Sequence, residues 1–480
     1  MIDLLHQAWD ALWAIPHIRL YLSLGWIAYL VGLGVWIVLQ KREPVATLSW
    51  LLGLAALPYV GLVVYQLFGP LRIRRHRLRR ARARVQAAEV PALDDPDARE
   101  LARLGKATTG LPPSTARRAD LLVDGAATYE ALLDAVRGAR DHVHLEYYIY
   151  HPDQSGTALR DALVERARAG VTVRLLLDAV GSSKAPQRFF APLLEAGGEL
   201  AWFHPIRFGR VWERSWMNLR THRKIVVVDG RIGFAGGINI TDEENDRVRA
   251  DAYRDLHLRL EGDVVGMLQL VFVEDWAYAT DDRSVLASLP AGTPAADAGP
   301  IPAQVLTSGP DSDWEAIHRL HVAAIHAARH RVWLVTPYFV PGEAAMMALT
   351  SAAFGGLDVR LLVPRQSDSR LVTLAARSYF DTLLAAGVKV YEYGPRMLHT
   401  KALLVDDDLA MVGSANFDHR SFRLNFEISV LLRDAGLAGE LARLIEGELT
   451  SAPRVRIDRA RPLWRARLPE AFARLLSPLL

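Results

Sequence analysis

An internal duplication limits the folds open to this chain more than any other feature of its sequence. Three segments recur in the same order in the two halves. ARDHVHLEYYI (139–149) pairs with ARHRVWLVTPYF (328–339), VTVRLLLD (171–178) with LDVRLLVP (357–364), and LLEAGGELAWFHP (193–205) with LLAAGVKVYEYGP (383–395). The duplication predicts two similar lobes that face each other across a pseudo-two-fold axis and contribute equivalent residues to one active site.

Each copy alternates short β-branched runs with amphipathic segments. VHLEYYIY (143–150) and VTVRLLL (171–177) flank LRDALVERARAG (159–170), a segment with helical periodicity. Strands that alternate with helices are typical of βαβ units, so the pattern predicts an α/β fold with a largely parallel sheet. The predicted organisation is an N-terminal region 1–72, a linker region 73–115, a first lobe 116–287, a Pro/Gly/Ala-rich linker 288–302, a second lobe 303–452 and a C-terminal segment 453–480.

Four polar residues recur near the end of each copy. They are His222, Lys224, Asp229 and Asn239 in the first copy, and His399, Lys401, Asp406 and Asn416 in the second. In both copies the lysine, the aspartate and the asparagine follow the histidine by 2, 7 and 17 residues. A single His-x-Lys is usually structural, but a matched pair in a chain with six lysines predicts a functional site.

The spacing explains what such a site can do. Side chains two apart in a strand share one face, so each histidine should project beside its lysine. The aspartate marks the turn out of the strand, and a second strand with a Gly-rich end returns the asparagine. Two imidazoles, two lysines and two amides around one centre suit phosphoryl transfer, in which charge on the equatorial oxygens needs fixed positive donors.

The N-terminal region is strongly apolar. Residues 20–39 carry no charge, and at about 1.5 Å per residue this run spans roughly 30 Å, the thickness of a bilayer's hydrocarbon core. A second uncharged run, 45–71, contains Pro58, which membrane helices tolerate. We predict a transmembrane hairpin with helices at about 18–40 and 46–68. A cleaved signal peptide and a soluble core helix are the competing interpretations of these runs.

An arginine cluster follows the second run. Its members are Arg72, Arg74, Arg75, Arg77, Arg79, Arg80, Arg82 and Arg84. Short-range arginine excess marks the cytoplasmic side, so both lobes should be cytoplasmic. The cluster should also attract anionic lipid. Nucleic-acid binding is the less favoured interpretation, because the cluster adjoins a membrane span.

Several stretches of the sequence together resemble a known family. The motif His-x-Lys-x4-Asp-x6-Gly-(Gly/Ser)-x-Asn, present twice, is the signature of the phospholipase D superfamily. Within it the chain resembles the bacterial cardiolipin synthases. The stretches that carry this closer resemblance are SGPDSD (308–313), TPYFVP (336–341), HRKIVVVDG (222–230), GSANFDHRSFRLNFE (413–427) and PYVGLVVYQLFG (58–69).

The resemblance implies a fold and a mechanism. Two pseudo-symmetric lobes, each a mixed sheet flanked by helices, should follow the membrane hairpin. One histidine, assigned here as His222, attacks the phosphorus of a phosphatidyl donor and forms a phosphohistidine. His399 protonates the leaving alcohol and then deprotonates the acceptor. Lys224, Lys401, Asn239 and Asn416 would hold the phosphoryl oxygens.

Two further carboxylates and the motif aspartates complete the predicted site. Asp255 and Glu427 stand at equivalent places in the copies, and each is a candidate to accept a histidine's other ring N–H. Asp229 and Asp406 are grouped with the catalytic motif and interpreted as organising the strand ends. No cofactor and no metal are expected, because the lysines supply the charge that a metal would.

The implied substrates are lipids. Phosphatidylglycerol would be donor and acceptor, giving cardiolipin and glycerol, in a bacterial inner membrane. Water or another alcohol as acceptor would make the chain a phospholipase D or a different phosphatidyltransferase. A non-catalytic membrane scaffold and a nuclease of the same superfamily are less favoured functions. Nothing in the sequence indicates an oligomeric state.

Two segments mix arginine with apolar residues and predict further lipid contacts. Residues 203–220 carry Trp212 and Trp216 among Arg207, Arg210, Arg214 and Arg220. They indicate either an approach for anionic head groups or an ordinary surface loop. The C-terminal segment 453–480 is basic and amphipathic, which is typical of segments that lie on a membrane.

Overall fold

The computed structural model describes residues 16–39, 44–69, 96–205, 218–288, 298–312 and 314–477. The predicted arginine cluster 72–84, residues 41–43 between the two apolar runs, and most of the linker 288–302 lie outside these residues. The chain divides into an apolar N-terminal unit and a large α/β unit.

The N-terminal unit is a helical hairpin. Helix α1 (Ile18–Leu39) has 22 residues and is the one helix in the described part of the chain that is long and apolar enough to cross a membrane. The predicted second span forms two shorter helices, α2 (Pro44–Ala56) and α3 (Pro58–Phe68), instead of one. Pro58 explains the break, since proline has no backbone N–H to donate to the preceding turn. Tyr59, just after the break, stacks on Trp26 of α1 with ring centroids 4.6 Å apart.

The α/β unit contains two large sheets, with strands numbered in chain order. The first sheet consists of β2 (Arg118–Val123), β3 (His142–Tyr147), β4 (Thr172–Asp178), β5 (Glu199–Phe203), β6 (Ile225–Val228), β7 (Ile232–Gly236) and β8 (Leu256–Glu261). The second consists of β1 (Ser114–Ala116), β9 (Ile301–Ser308), β10 (Arg331–Val335), β12 (Asp358–Pro364), β13 (Lys389–Tyr393), β14 (Ala402–Val405), β15 (Leu409–Gly413) and β17 (Glu427–Arg433). Strands β11 (Phe339–Val340) and β16 (Phe417–Asp418) pair with each other.

Both large sheets have the same mixed topology. Their orders are β2-β8-β7-β6-β3-β4-β5 and β1-β9-β17-β15-β14-β10-β12-β13. Within them only β3-β4-β5 and β10-β12-β13 run parallel, and the other described pairings are antiparallel. The prediction of a largely parallel sheet was therefore wrong, and the mixed sheet implied by the resemblance is confirmed. The motif strands β6 and β7 form a hairpin, as do β14 and β15.

Helices flank the sheets and close a core between them. They are α4 (Pro96–Thr109), α5 (Asp124–Gly138), α6 (Gln154–Arg168), α7 (Ala191–Glu195), α8 (Val264–Thr280), α9 (Ala316–Ala327), α10 (Glu343–Phe354), α11 (Arg370–Arg377), α12 (Phe380–Ala385), α13 (His419–Arg423), α14 (Ala435–Leu449) and α15 (Leu468–Leu475). One buried apolar cluster includes Val227 and Leu258 of the first sheet, Leu404 and Val430 of the second, and side chains of α8 and α14. The two lobes thus share a core.

The prediction that residues 73–115 form a linker was wrong for the C-terminal part of this range. Residues 96–116 form α4 and β1, and β1 pairs with β9 of the second sheet. The Gln304 amide of β9 also donates to the Ala102 carbonyl of α4 at 3.1 Å. This segment, which precedes the first lobe in sequence, completes the second lobe.

Candidate active site

The two histidines lie where the lobes exchange backbone hydrogen bonds. The His222 amide donates to the Phe426 carbonyl at 2.9 Å, and the His399 amide donates to the Arg254 carbonyl at 2.7 Å. Each bond joins one lobe to the other. Strands β6 and β14 begin only at Ile225 and Ala402, so each His-x-Lys occupies the extended segment before its strand and not the strand itself.

Each histidine is held by a carboxylate of the opposite lobe. His222 Nδ1 lies 3.0 Å from Glu427 Oε2, and His399 Nδ1 lies 2.6 Å from Asp255 Oδ2. The structure thus brings Asp255 and Glu427 to the histidines as predicted, but crossed between the lobes. With Nδ1–H donated to the carboxylate, the lone pair of each neutral ring is on Nε2. In each of these two pairs, one lobe supplies the histidine and the other supplies the carboxylate.

The two lysines are buried in the same centre. Lys224 Nζ donates to the His222 carbonyl at 2.7 Å, and Lys401 Nζ lies 3.3 Å from Asp255 Oδ2. Burial lowers the pKa of Lys224 to about 7, and it also lowers the pKa of Lys401. A phosphodiester anion between them would favour the charged ammonium of both.

The two carboxylates stay ionised although they are fully buried. Burial alone would raise their pKa values. For Asp255, Lys401 and His399 outweigh that effect. For Glu427, the interaction with His222 outweighs it together with Lys224 and the hydrogen bond from Ser414, so both pKa values lie below the usual range. Ser414 Oγ also donates to Glu427. The first copy has no equivalent hydrogen bond, because Gly237 stands in the place of Ser414.

His222 is a neutral imidazole at physiological pH. Burial is the largest influence, and the nearby Lys224 adds to it, so the pKa of His222 falls to about 4 although Glu427 favours the charged form. The ring of Tyr148 meets that of His222 at 66° with centroids 4.9 Å apart. An unprotonated ring on a fixed carboxylate offers Nε2 as a nucleophile.

The two asparagines are buried in unequal surroundings. Asn239 donates from Nδ2 to Glu244 Oε1 at 2.7 Å, and its backbone N–H donates to Glu244 Oε2, also at 2.7 Å. The Asn416 backbone instead donates to Ser421 Oγ at 3.2 Å. Asn416 Oδ1 is buried without a hydrogen-bond partner among the residues that the structure describes, so this oxygen can accept a hydrogen bond from a ligand.

Glu244 is a site residue that the sequence did not predict. It follows Asn239 by five residues, where the second copy has Ser421 after Asn416. One of its carboxylate oxygens, one of Asp255 and a ring nitrogen of His399 lie within 4.8 Å of one another. The signal available in the sequence was an acidic residue breaking the match between the copies. It makes the half of the site around His399 more acidic than the half around His222.

The motif aspartates lie away from the histidines. Asp229 accepts backbone N–H bonds from residues 140–142 at 2.8–2.9 Å, at the far end of β6 from Lys224. Asp406 does the same with the backbone of residues 329–331. Grouping them with the catalytic residues was therefore wrong in geometry. The strand-organising role predicted for both agrees with these bonds.

The predicted lipid approach at 203–220 falls mostly outside the described residues. Arg220 is described, and it is buried beside Asp178, with Nη1 and Oδ1 3.5 Å apart. Its expected place in a surface exposed to lipid was wrong. Residues 206–217, with both tryptophans, lie outside the part of the chain that the structure describes.

Glu244, Asp255 and His399 also bear on the expectation that no metal is needed. They are potential ligands that sequence spacing did not reveal. Asp255 Oδ2 already faces both the Lys401 ammonium and the His399 ring, and these two partners compete with a cation for it. We therefore expect activity to survive exhaustive EDTA treatment to within a few-fold, measured as product formed per minute. Collapse of activity with recovery by one specific divalent ion would contradict this. A small, ion-unspecific change is the expected effect of divalent ions on anionic lipid.

Comparison with known proteins identifies the family. Residues 132–251 and 322–449 match the family described as cardiolipin synthase, PLD-like domain, and residues 27–70 match the phospholipase D-nuclease N-terminal family. The chain belongs to the cardiolipin synthase family. One range matched by the cardiolipin synthase family lies in each lobe, and each range contains one copy of the motif.

Full-length relatives of this family are similar over nearly the whole chain. A cardiolipin synthase 2 of Bacillus anthracis is 39% identical, with 94% of this chain and 90% of the relative covered. A cardiolipin synthase of Geobacillus thermodenitrificans is 36% identical, with 100% and 97% covered. The crystal structure of a phosphatidylserine synthase of Haemophilus influenzae has a TM-score of 0.60 at 14% identity, covering 79% of this chain and 100% of that one. It supports the fold.

Proposed function

We propose that the chain is a cardiolipin synthase. It transfers a phosphatidyl group from one phosphatidylglycerol to a second and yields cardiolipin and glycerol. The observation that carries the proposal is the crossed pair of histidine–carboxylate units with two buried lysines between the lobes. Full-length similarity to cardiolipin synthases supports the choice of substrate.

The first half-reaction forms a phosphohistidine. His222 Nε2 attacks the phosphorus of the donor, and the P–O bond to the departing glycerol breaks. His399, in its protonated form, gives its Nε2 proton to the leaving oxygen. Glu427 stabilises the cationic His222 that forms, because its carboxylate is already on Nδ1. The pKa of His222, about 4, favours it as the nucleophile.

The second half-reaction transfers the group to the acceptor. His399 Nε2, now neutral, takes the proton of the second lipid's glycerol hydroxyl, whose oxygen attacks the phosphorus. The P–N bond to His222 breaks and the two histidines return to their starting states. Lys224, Lys401 and the Nδ2 amino group of Asn416 donate to the phosphoryl oxygens in both steps, while Asn239, anchored to Glu244, lines the side near His399.

Incubation of the purified full chain with phosphatidylglycerol tests the function. We expect cardiolipin and free glycerol in equal amounts, measured by lipid mass spectrometry and enzymatic glycerol assay. Phosphatidic acid as the main product would identify water as the acceptor. A lipid formed only after serine or ethanolamine is added would identify a different phosphatidyltransferase. Either result would overturn the proposal while leaving the site intact.

The pH dependence follows from the pKa of His222. The nucleophile must be neutral, so kcat/KM should rise as pH increases through about 4 and be nearly complete by pH 6. The first step also needs a protonated general acid, so the rate should fall again at higher pH, which makes the profile bell-shaped. The measurement is kcat/KM between pH 3.5 and 9. An acidic limb at the ordinary histidine pKa of about 6.5 would contradict the assignment of His222 as the buried base.

We also propose that the protein resides in a bacterial inner membrane, with the α1–α3 hairpin crossing it and both lobes in the cytoplasm. The arginine excess after the hairpin supports this orientation. The proposed domain division follows the lobes, with residues 96–116 counted with the second.

Fusion of a reporter after Arg84 should give activity on the cytoplasmic side. Reporter activity confined to the extracytoplasmic side would reverse the topology.

A further inference from the structure

The C-terminal segment docks on the second lobe first through Val455, which joins a buried apolar cluster, and then through polar and small residues. Val455 donates to the Val390 carbonyl at 2.8 Å, which adds the segment to the edge of the second sheet. A π-helical turn at Leu463–Arg467 leads into α15, which packs against α11. Ser477 Oγ and Tyr379 Oη are 3.0 Å apart, and Arg461 pairs with Glu470.

Helix α15 buries its polar and small side chains, the reverse of the usual pattern in a soluble protein. Its buried side chains are Glu470 and Ala473, and Ser477 continues the same stripe at a spacing of i, i+3 and i+7. An amphipathic helix ordinarily buries its large apolar side chains and exposes its polar ones. Here an acidic, a methyl and a hydroxyl side chain face the protein.

The outer face is apolar. Trp464 is 77% exposed, Phe472 60% and Leu475 74%. Phe472 and Leu475 are three residues apart on α15 and share the face opposite the buried stripe, and Trp464 is exposed on the π-helical turn before it. Leu463 and Leu476 extend the patch. A contiguous exposed patch of large apolar side chains marks a surface that another apolar phase covers.

The charges around this apolar patch indicate which kind of surface covers it. Arg465, Arg467 and Arg474 are exposed on the same segment, and the only acidic side chain within the described residues 461–477 is the buried Glu470. A second copy would oppose these arginines with its own, which disfavours self-association. An anionic membrane surface matches both features, because arginine attracts acidic head groups and tryptophan favours the lipid–water interface.

We propose that the π-helical turn and α15 lie on the surface of an anionic bilayer, with Trp464, Phe472 and Leu475 inserted into the head-group region. The second lobe then has its own membrane contact in addition to the apolar hairpin. The proposal does not depend on which acceptor alcohol the enzyme uses.

Site-specific fluorescence tests the contact, since the chain has no native cysteine. Phe472→Cys and Leu475→Cys carry an environment-sensitive dye in the full-length protein reconstituted in vesicles. Glu195→Cys, an exposed position of α7 in the first lobe, is the control. Vesicles of phosphatidylcholine alone are compared with vesicles containing phosphatidylserine, an anionic lipid that is not the proposed substrate.

We expect lipid-borne nitroxide to quench dyes at 472 and 475 several-fold more than the dye at 195, and iodide to quench them less. Arg465→Glu with Arg467→Glu should lower the lipid quenching in anionic vesicles, whereas the matched change of both to Lys should preserve it. Iodide quenching at 472 equal to that at 195 would overturn the proposal. A second contrary result would be a dye at 472 that is protected from iodide but is not quenched by lipid-borne nitroxide, together with disulfide dimers of unlabelled Phe472→Cys. That result would identify a second copy of the chain as the occupant.

Discussion

We expect His222→Ala to remove all measurable phosphatidyl transfer, a loss of at least about 10⁴-fold. Among the described residues of the site, no other neutral imidazole with a free Nε2 and a fixed carboxylate can replace the nucleophile. His399→Ala lowers turnover by about 10²- to 10⁴-fold, the usual range for loss of a general acid and base. The two losses should not add in the double variant, since the residues act on one phosphorus.

Initial rates of cardiolipin formation on vesicles measure these effects. His326→Ala, which removes an exposed imidazole of α9, is the matched control and should retain full activity. A donor with a good leaving group should partly restore the first step in His399→Ala, because such a leaving group needs no acid. Retention of most activity by either single histidine variant would refute a site shared by both lobes.

Exchange of the two buried carboxylates for amides should reproduce the loss of the opposite lobe's histidine. Asp255→Asn should impair the same step as His399→Ala, and Glu427→Gln the same step as His222→Ala but less completely. Each should lower the rate by about 10²- to 10⁴-fold, because an amide no longer stabilises the imidazolium through Nδ1–H. The reason is the crossed pairing at 2.6 and 3.0 Å. With a donor that has a good leaving group, Asp255→Asn should accumulate the phosphohistidine and Glu427→Gln should not.

Controls separate this effect from loss of folding. Asp134→Asn, at an exposed position of α5, should leave the rate unchanged. Asp255→Glu and Glu427→Asp keep the charge and should recover part of the activity. If Glu427→Gln accumulated the intermediate and Asp255→Asn did not, each histidine would depend on the carboxylate of its own lobe and the crossed arrangement would be wrong.

The sequence predicted the site's composition better than its connections. The equal spacing in the two copies identified both His-x-Lys pairs and both asparagines, and the equivalent places of Asp255 and Glu427 in the copies identified both carboxylates. The crossing could not be predicted, because spacing reports neighbours within a copy, whereas His222 and Glu427 are 205 residues apart. Only the packing of one lobe on the other decides which carboxylate reaches which ring.

The errors in the predicted fold have local physical reasons. Buried apolar runs look alike in parallel and antiparallel strands, so alternation with helices favoured a parallel sheet. Asp229-Gly230 between β6 and β7 was a hairpin signal, and both residues have positive φ. The polar stretch that starts α4 was interpreted as linker, although Pro96 and Asp97 are typical of the first turn of a helix.

The location of the covalent phosphatidyl group tests the central claim most directly. His399→Ala is mixed with a labelled phosphatidyl donor that has a good leaving group, quenched rapidly at high pH because phosphohistidine is acid-labile, and mapped by mass spectrometry of its peptides. The mechanism predicts label on His222, in amounts approaching one per chain, and none in His222→Ala. Label on His399 in the wild type, or no covalent label in any variant that still forms cardiolipin, would contradict it.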